Sequence, residues 1–473
     1  MSADTVQDNF YTHGALGKIL AKTALPIIFI MAMNGLLTVV DAMFLGAYVG
    51  ADALGAVTLM FPATMIVVAL STLVSNGMSS LLARHLGGNR IDDARAVFAG
   101  AHGLAILFSV VLITLFLLFG RHITFLAANG VAELADMGHT YLLVTILFSP
   151  ALFVLSVNSD ALRNEGRIGF MAAMSLLVSI ANICFNYILI AEMGWGVAGS
   201  AIGTVLAQIL AVSIIMGFRL RGATKLRIST LVRYRPTTAW RDILALGAPQ
   251  SLNFLGISLS SAATIAALQM VQSAHYETTV AAFGIMTRVM TFVFLPHLGL
   301  CFALQSMIGN NYGASLWGRS DNSLRLGLIT SLVYCLSAQL LMNLNAEAIG
   351  YLFIDDTAVV SEVQRILPIM TALLFVAGIM MIIATYFQAI GDAARAALLS
   401  LIKPYLFGIP LIFILAHGIG EPGIWYAGPT SEALLVVLAI LVLSNSAKRK
   451  QLKWGLFMAS HPQPASTVQD PAA

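Results

Sequence analysis

The sequence predicts an all-α polytopic membrane protein, with twelve transmembrane helices in two six-helix bundles related by a pseudo-twofold axis along the membrane normal. Three observations predict it. Of 473 residues, 59% are hydrophobic and only 10% charged, with a mean hydropathy of +0.88, against about 25% charged in a soluble domain. Apolar runs of about 20 residues recur along the chain, each long enough to cross a hydrocarbon core of about 30 Å as a helix. Finally, the two halves of the chain align with each other. A β-barrel would instead need runs of about ten residues with alternating polarity, whereas these runs are apolar all round, as lipid-embedded helices are.

Residues 1–22 are polar and lack an apolar stretch ending in a small-residue cleavage site, so they read as a cytoplasmic N-terminal segment and no removable signal peptide is expected. An N-lobe, 23–218, holds spans at 23–47, 53–82, 96–119, 138–161, 169–190 and 197–218. A basic cytoplasmic linker, 219–246, follows. The C-lobe, 247–446, holds spans at 247–272, 280–308, 325–343, 366–389, 396–416 and 428–446, and 447–473 is a cytoplasmic tail. Every Lys and Arg except Arg121, Arg288 and Arg365 falls on the side of the N-terminus, while Glu133, Asp136, Glu192, Glu277, Asp355, Asp356 and Glu421 collect on the other. That bias obeys the positive-inside rule with both termini cytoplasmic, so the net charge of +3 reflects orientation and nucleic-acid binding is not needed to explain it. Cys184, Cys301 and Cys335 lie in apolar segments without paired or metal-ligand spacing, and no metal site is expected.

The duplication is direct. "LRNEGRIGFMAAMSLLVSIANICFNYILI" (162–190) aligns without gaps to "FQAIGDAARAALLSLIKPYLFGIPLIFIL" (387–415), placing Gly166 over Gly391. "SSLLARHLGGN" (79–89) matches "QSMIGNNYGAS" (305–315). Six spans per copy is an even number, so both copies enter from one side, as in transporters whose lobes rock about a central site.

Polar residues break this symmetry. Asp41 stands in the apolar run "NGLLTVVDAMFLG" (34–46), where a carboxylate near a helix centre costs about 2.5 to 3.5 kcal/mol. Asn34 and Thr38 share its helix face. On the fifth span Ser175, Ser179, Asn182 and Asn186 recur at about the helix period, the sixth adds Thr204 and Gln208, and the fourth adds Tyr141, Asn158 and Asp160. Asp41 aligns with Thr264, Asn182 with Phe407 and Asn186 with Leu411, so the cluster is confined to one copy. Hydrogen-bond glue between helices contributes only about 0.6 kcal/mol per contact and should recur in both copies. An ionisable group within the membrane is a functional candidate; we expect Asp41 to couple transport to an ion, with Asn34, Thr38, Tyr141, Asn158, Asp160, Asn182, Asn186 and Thr204 as its cavity and hydrogen-bond network. Pro26 could bend the first helix. Arg288 is a membrane-depth cation that either lines the cavity or reaches an interface. Glu432 reads as an interfacial, solvated residue near the outer start of the last span. No HExxH, GxSxG or paired-aspartate arrangement suggests an enzyme.

The motifs "VDAMFLGAYVGADALGAVTL", "GLCFALQSMIGNNYGA", "LRNEG", "FQAIGDAARAALLSLIKP" and "ANICFNYILI…GVAGSAIGTVLAQ" together resemble the multidrug and toxic compound extrusion (MATE) family over about residues 15–446. The resemblance implies export of cationic or amphipathic organic compounds in exchange for protons or sodium ions, with no cofactor. Asp41 falls on the first-helix aspartate of the DinF-like prokaryotic branch, which implies the inner membrane of a bacterium; the acid-free seventh span argues against the NorM-like branch. One departure stands out: the DinF-like pattern NIxLD reads "NICFN" here, so Asn186 replaces an acid. The expectation is a monomeric, proton-coupled drug antiporter working by alternating access. The alternatives are sodium coupling on the same fold, or a lipid-linked oligosaccharide flippase, which would call for a cavity rich in Arg or Lys and usually two further helices.

Overall fold

A computed structural model describes residues 9–222, 224–272, 275–450 and 454–457. Residues 1–8 of the N-terminal segment and most of the 447–473 tail lie outside the described residues. Ten helices are long and apolar enough to cross a membrane, and two bent pairs bring the number to twelve. We label the spans α1 (Leu16–Tyr48), α2 (Phe61–Gly87), α3 (Ile91–Ala127), α4 (Ala132–Leu147 with Ser149–Asn164), α5 (Ile168–Glu192), α6 (Gly196–Leu220), α7 (Trp240–Met270), α8 (Tyr276–Gly313), α9 (Trp317–Leu344), α10 (Thr357–Thr371 with Leu374–Ile390), α11 (Ala393–Ile419) and α12 (Glu421–Lys450).

The structure adjusts three of the expected spans. The run at 53–82 is two helices, Ala51–Leu59 and α2, because Pro62 lacks the amide a continuous helix would use and sits instead in the first turn of α2. The tenth span starts earlier than expected, at Thr357, where Asp356 caps the helix through the amides of Ala358 and Val359. The fourth and tenth spans both bend, by 48° and 43°, at Phe148 and around Leu373, positions that the duplication superimposes.

The repeat is also visible in how the halves meet. α1 packs on α8 of the other half, and α7 packs reciprocally on α2. Where α2 and α8 cross, a Cβ on Gly87 would stand 2.0 Å from the Asn310 carbonyl oxygen and one on Gly313 would stand 2.0 Å from that of Arg84. Gly87 corresponds to Gly313 and Arg84 to Asn310 in the repeat, so this is one contact made twice about a pseudo-twofold axis. Only glycine permits so close an approach.

The halves are sealed at one end and splayed at the other. Residues Val74 to Ala83 of α2 and His297 to Leu300 of α8 are buried, whereas Phe61, Ile66, Leu36, Val39, Ile257 and Phe292, towards the opposite end, are exposed. The first and last described segments pack on the sealed end: the Tyr11 hydroxyl donates to the Arg163 carbonyl at 2.5 Å, and the Tyr386 hydroxyl donates to that of Leu456 at 2.6 Å. Its seam is a polar plug. Asn76 Oδ1 accepts from Gln305 and Gln388, at 2.9 and 2.5 Å. Arg163 donates to Ser306 at 3.1 Å and Ser79 at 2.8 Å, pairs with Asp160 at 3.0 Å, and lies over the Phe302 ring at 5.0 Å.

Candidate functional site

Asp41 is half-buried on α1 and accepts a hydrogen bond from Asn186 Nδ2 at 2.6 Å. The same amide also donates to Asn182 Oδ1 at 3.2 Å, Asn182 Nδ2 donates to Thr204 Oγ1 at 2.8 Å, and the Thr204 hydroxyl donates to the Ser200 carbonyl at 3.2 Å. A single chain of hydrogen bonds therefore links α1 through α5 to α6. The sequence arranges it simply: Asn182 and Asn186 are one helical turn apart, so their side chains stack on one face of α5. Both are 0% exposed.

Two local devices fix Asn186. Gly203 on α6 faces it so closely that a Cβ there would stand 2.1 Å from Asn186 Oδ1. Immediately after it, residues Tyr187–Glu192 wind as a π-helix, a deviation found often at functional sites. Asn186 Oδ1 is buried and has no hydrogen-bond partner among the described residues, which is costly for a carbonyl oxygen in an apolar setting. Tyr141 stands near Asp41 and packs against Leu45, Ala53 and Val197.

The other expected residues divide. Asn34 and Thr38 share the Asp41 face of α1 but are exposed, and the Thr38 hydroxyl donates to the Asn34 carbonyl at 3.1 Å, within its own helix. Asn158 belongs elsewhere. Its amide meets His102 Nε2 at 3.0 Å, and its Oδ1 accepts from Arg219 Nε at 2.8 Å. Asp160 is likewise committed to Arg163 in the seal. Both were expected in the Asp41 network because they share a span with Tyr141; the bend at Phe148 separates the two arms of α4, and these residues lie near the far end of the second arm. Pro26 lies inside an uninterrupted α1. Arg288 is exposed on α8.

Several polar residues carry more structure than the sequence suggested. Arg219, read as part of a basic linker, is 1% exposed and pairs with Glu165 at 3.0 Å while lying 4.9 Å over the Phe98 ring. Glu432, read as interfacial, is buried and paired with Lys403. Lys403 lies on a π-helical stretch of α11, Ile402–Gly408. Gly203 could have been found from the spacing of Gly199 and Gly203, a small-xxx-small pattern that brings membrane helices together. Among the described residues no three His, Cys, Asp or Glu side chains group as a metal site. An apolar crevice of about 270 Å³ between α2 and α7, lined by Leu70, Leu73, Ala248 and Leu255 among others, includes none of the expected site residues.

A duplicated twelve-helix bundle, sealed at one end and carrying one carboxylate wired to two amides within a single half, has the build of a membrane transporter rather than an enzyme. The MatE family model matches residues 26–188 and 249–414, one segment in each half, and the chain belongs to this family of transporters. A protein of Shewanella oneidensis described as an FAD transporter is 25% identical over 89% of this chain and 94% of its own length. The multidrug export protein MepA of Staphylococcus aureus is 23% identical over 92% and 95%. A solved MATE structure in a bent conformation superimposes with a TM-score of 0.84 at 23% identity, covering 93% of this chain and 98% of its own. An outward-facing multidrug resistance MATE transporter superimposes with a TM-score of 0.80 at 22% identity, covering 92% and 96%.

Proposed function

We propose that this protein exports small cationic or amphipathic organic compounds in exchange for protons by alternating access, with Asp41 as the coupling residue. The observation that carries the reading is the Asn186–Asp41 hydrogen bond at 2.6 Å. A carboxylate that accepts from an amide becomes a donor when it is protonated. Asn186 Oδ1, buried and unpartnered, is the acceptor such a proton would need. If the Asn186 amide turns to offer that oxygen, its nitrogen no longer bonds Asn182 Oδ1, and Asn182 must in turn release or re-form its bond to Thr204. Protonation on α1 thus reaches α6 through a relay of neutral groups. Ionised Asp41 favours a cation in the N-lobe cavity, and protonated Asp41 does not, so substrate and proton compete.

The surrounding parts support the same cycle. The lobes 23–218 and 247–446 act as the rocking units. The basic-residue asymmetry supports a cytoplasmic sealed end and cytoplasmic termini, with the splayed end outside, in the inner membrane of a bacterium. Asn34, Thr38 and Tyr141 line the cavity, and bending of α1 at Pro26 accompanies the change in occupancy. A monomer suffices, since every element of the relay lies in one chain. The multidrug export protein among the relatives fits this substrate class. The one described as an FAD transporter leaves room for substrates that also carry negative charge.

Sodium is the second reading, because Na⁺ accepts carboxylate, amide and hydroxyl oxygens. The exchange of an acid for Asn186 disfavours it by removing one negative charge. A flippase is opposed by the scarcity of membrane-depth cations. The test is drug accumulation in everted vesicles driven by an imposed pH gradient or an imposed Na⁺ gradient. Proton coupling predicts transport under the first alone; transport that follows only the Na⁺ gradient would overturn it.

A further inference from the structure

Two basic side chains lie at membrane depth in the second half, and only one is neutralised. Lys403 is paired with buried Glu432. Arg288 is exposed and makes no hydrogen bond, ion pair or cation–π contact with any described residue. Arg288 is therefore a positive charge within a transmembrane helix that no described residue compensates.

Its position on α8 is defined by the helix period. Arg288, Phe292, Leu295 and Gly299 form one stripe. At the sealed end this stripe touches the other half: Gly299 lies against Ile28 of α1, and Leu295 reaches the Gly35 position of α1. Farther out the halves separate, so the same stripe, now bearing Phe292 and Arg288, turns from the seam into the cleft. Counted outward from the Gly299–Ile28 contact at about 1.5 Å and 100° per residue, Arg288 and Asp41 differ in depth by only about 3 Å, but Asp41 lies about 140° round α1 from Ile28, on the side where it bonds Asn186 of α5. The twin of Arg288 in the first half is Pro62, so this charge, like Asp41, was laid over the duplication and is not part of the shared scaffold.

We propose that Arg288 gives the second half's wall of the cleft its positive charge and is a specificity-determining residue for substrates carrying a carboxylate or phosphate besides their cationic or amphipathic body, while Asp41 serves the cation from a different face of the first half. The planar fork of Arg288 binds such an anion bidentately. The inference rests on the transporter reading and narrows its substrate class to zwitterionic and anion-bearing compounds. A purely cationic compound meets Asp41 and is repelled by Arg288. A zwitterion long enough to reach from the first half to the second satisfies both charges.

The test is equilibrium binding, without any ion gradient, of rhodamine B and its ethyl ester to the full-length protein in nanodiscs. The two dyes differ in that one carries a free carboxylate and the other an ester. Wild type should bind rhodamine B at least tenfold more tightly than the ester. Arg288→Ala should abolish that preference while leaving the ester unchanged or tighter, and Arg288→Lys should restore part of it. Equal binding of the two dyes by wild type, or an equal loss of both in Arg288→Ala, would overturn the proposal, as would an Arg288→Ala variant that keeps the preference, the mark of an arginine serving only to anchor α8 at the membrane interface. Because no gradient is applied, this outcome is separate from proton coupling, which the vesicle assay tests.

Discussion

The two halves of this protein share a scaffold and differ in what they bury. Bends recur at Phe148 and around Leu373, and the close crossing at Gly87 recurs at Gly313. Yet where the first half links Asp41, Asn186, Asn182 and Thr204, the second has Thr264, whose hydroxyl donates at 3.0 Å to the Ser260 carbonyl of its own helix, and the apolar Leu411 and Phe407. Its own ion pair, buried Glu432 with partly exposed Lys403, falls at positions where the first half has no charge. Features that recur are demanded by packing; features that do not recur are free to serve chemistry. On this reasoning the proposed ion coupling falls to the first half, while the second pairs Lys403 with Glu432 and leaves Arg288 unpaired among the described residues.

The largest effect expected from breaking that contrast is at Asp41. Asp41→Asn keeps the size of the side chain and removes the only titratable group in the relay. Proton-driven drug accumulation in everted vesicles should fall to the level of empty vesicles, while expression and thermal stability stay near wild type. The mirror change, Thr264→Ala, removes only a bond within one helix and should leave transport intact. Full transport by Asp41→Asn would end the assignment of coupling to the first half.

The next effect falls on the seam that both halves share. Arg163→Ala removes a cation that is 3% exposed and leaves Asp160 without its partner while Ser306 and Ser79 lose donors. Breaking a buried pair by removing one member costs about 3 to 5 kcal/mol. The variant should melt earlier in detergent, and a cysteine placed at the sealed end should become reactive to a water-soluble maleimide.

A subtler contrast uses two glycines that the repeat brings into register. A methyl on Gly203 would stand 2.1 Å from Asn186 Oδ1, whereas one on Gly428 meets nothing within 4 Å. Gly203→Ala should displace Asn186, cost about 1 to 3 kcal/mol as overpacking does, and lower coupled transport. Gly428→Ala should be silent in both assays. Equal effects of the two would mean that the relay does not depend on this packing.

Composition and apolar runs were enough to read the fold, because lipid demands long helices whatever their details. The core of the site was legible for a related reason: Asp41, Asn182, Asn186 and Thr204 are conspicuous against an apolar background, and the periodicity of α5 aligned the two amides. Asn158 and Asp160 stood out equally, but a bend in the backbone carries no polarity signature, so nothing in the spacing revealed that they lie beyond one. Arg219 and Glu432 were misjudged because a charge near a helix end reads as solvated; burial depends on partners such as Glu165 and Lys403, which are distant in sequence.

The smallest effect is predicted for that last pair. If Lys403 and Glu432 only balance one another, replacing both with apolar residues of similar size, Lys403→Met with Glu432→Leu, should be close to neutral or stabilising, since the attraction of partly exposed Lys403 seldom outweighs the desolvation of a buried carboxylate. Glu432→Leu alone leaves the ammonium without a counter-charge and should lower the melting temperature. Proton-driven transport should persist in the double variant, in contrast to Asp41→Asn. Loss of transport there, with melting unchanged, would mean that the second half also takes part in coupling, and that the asymmetry between the halves is one of chemistry and not of role.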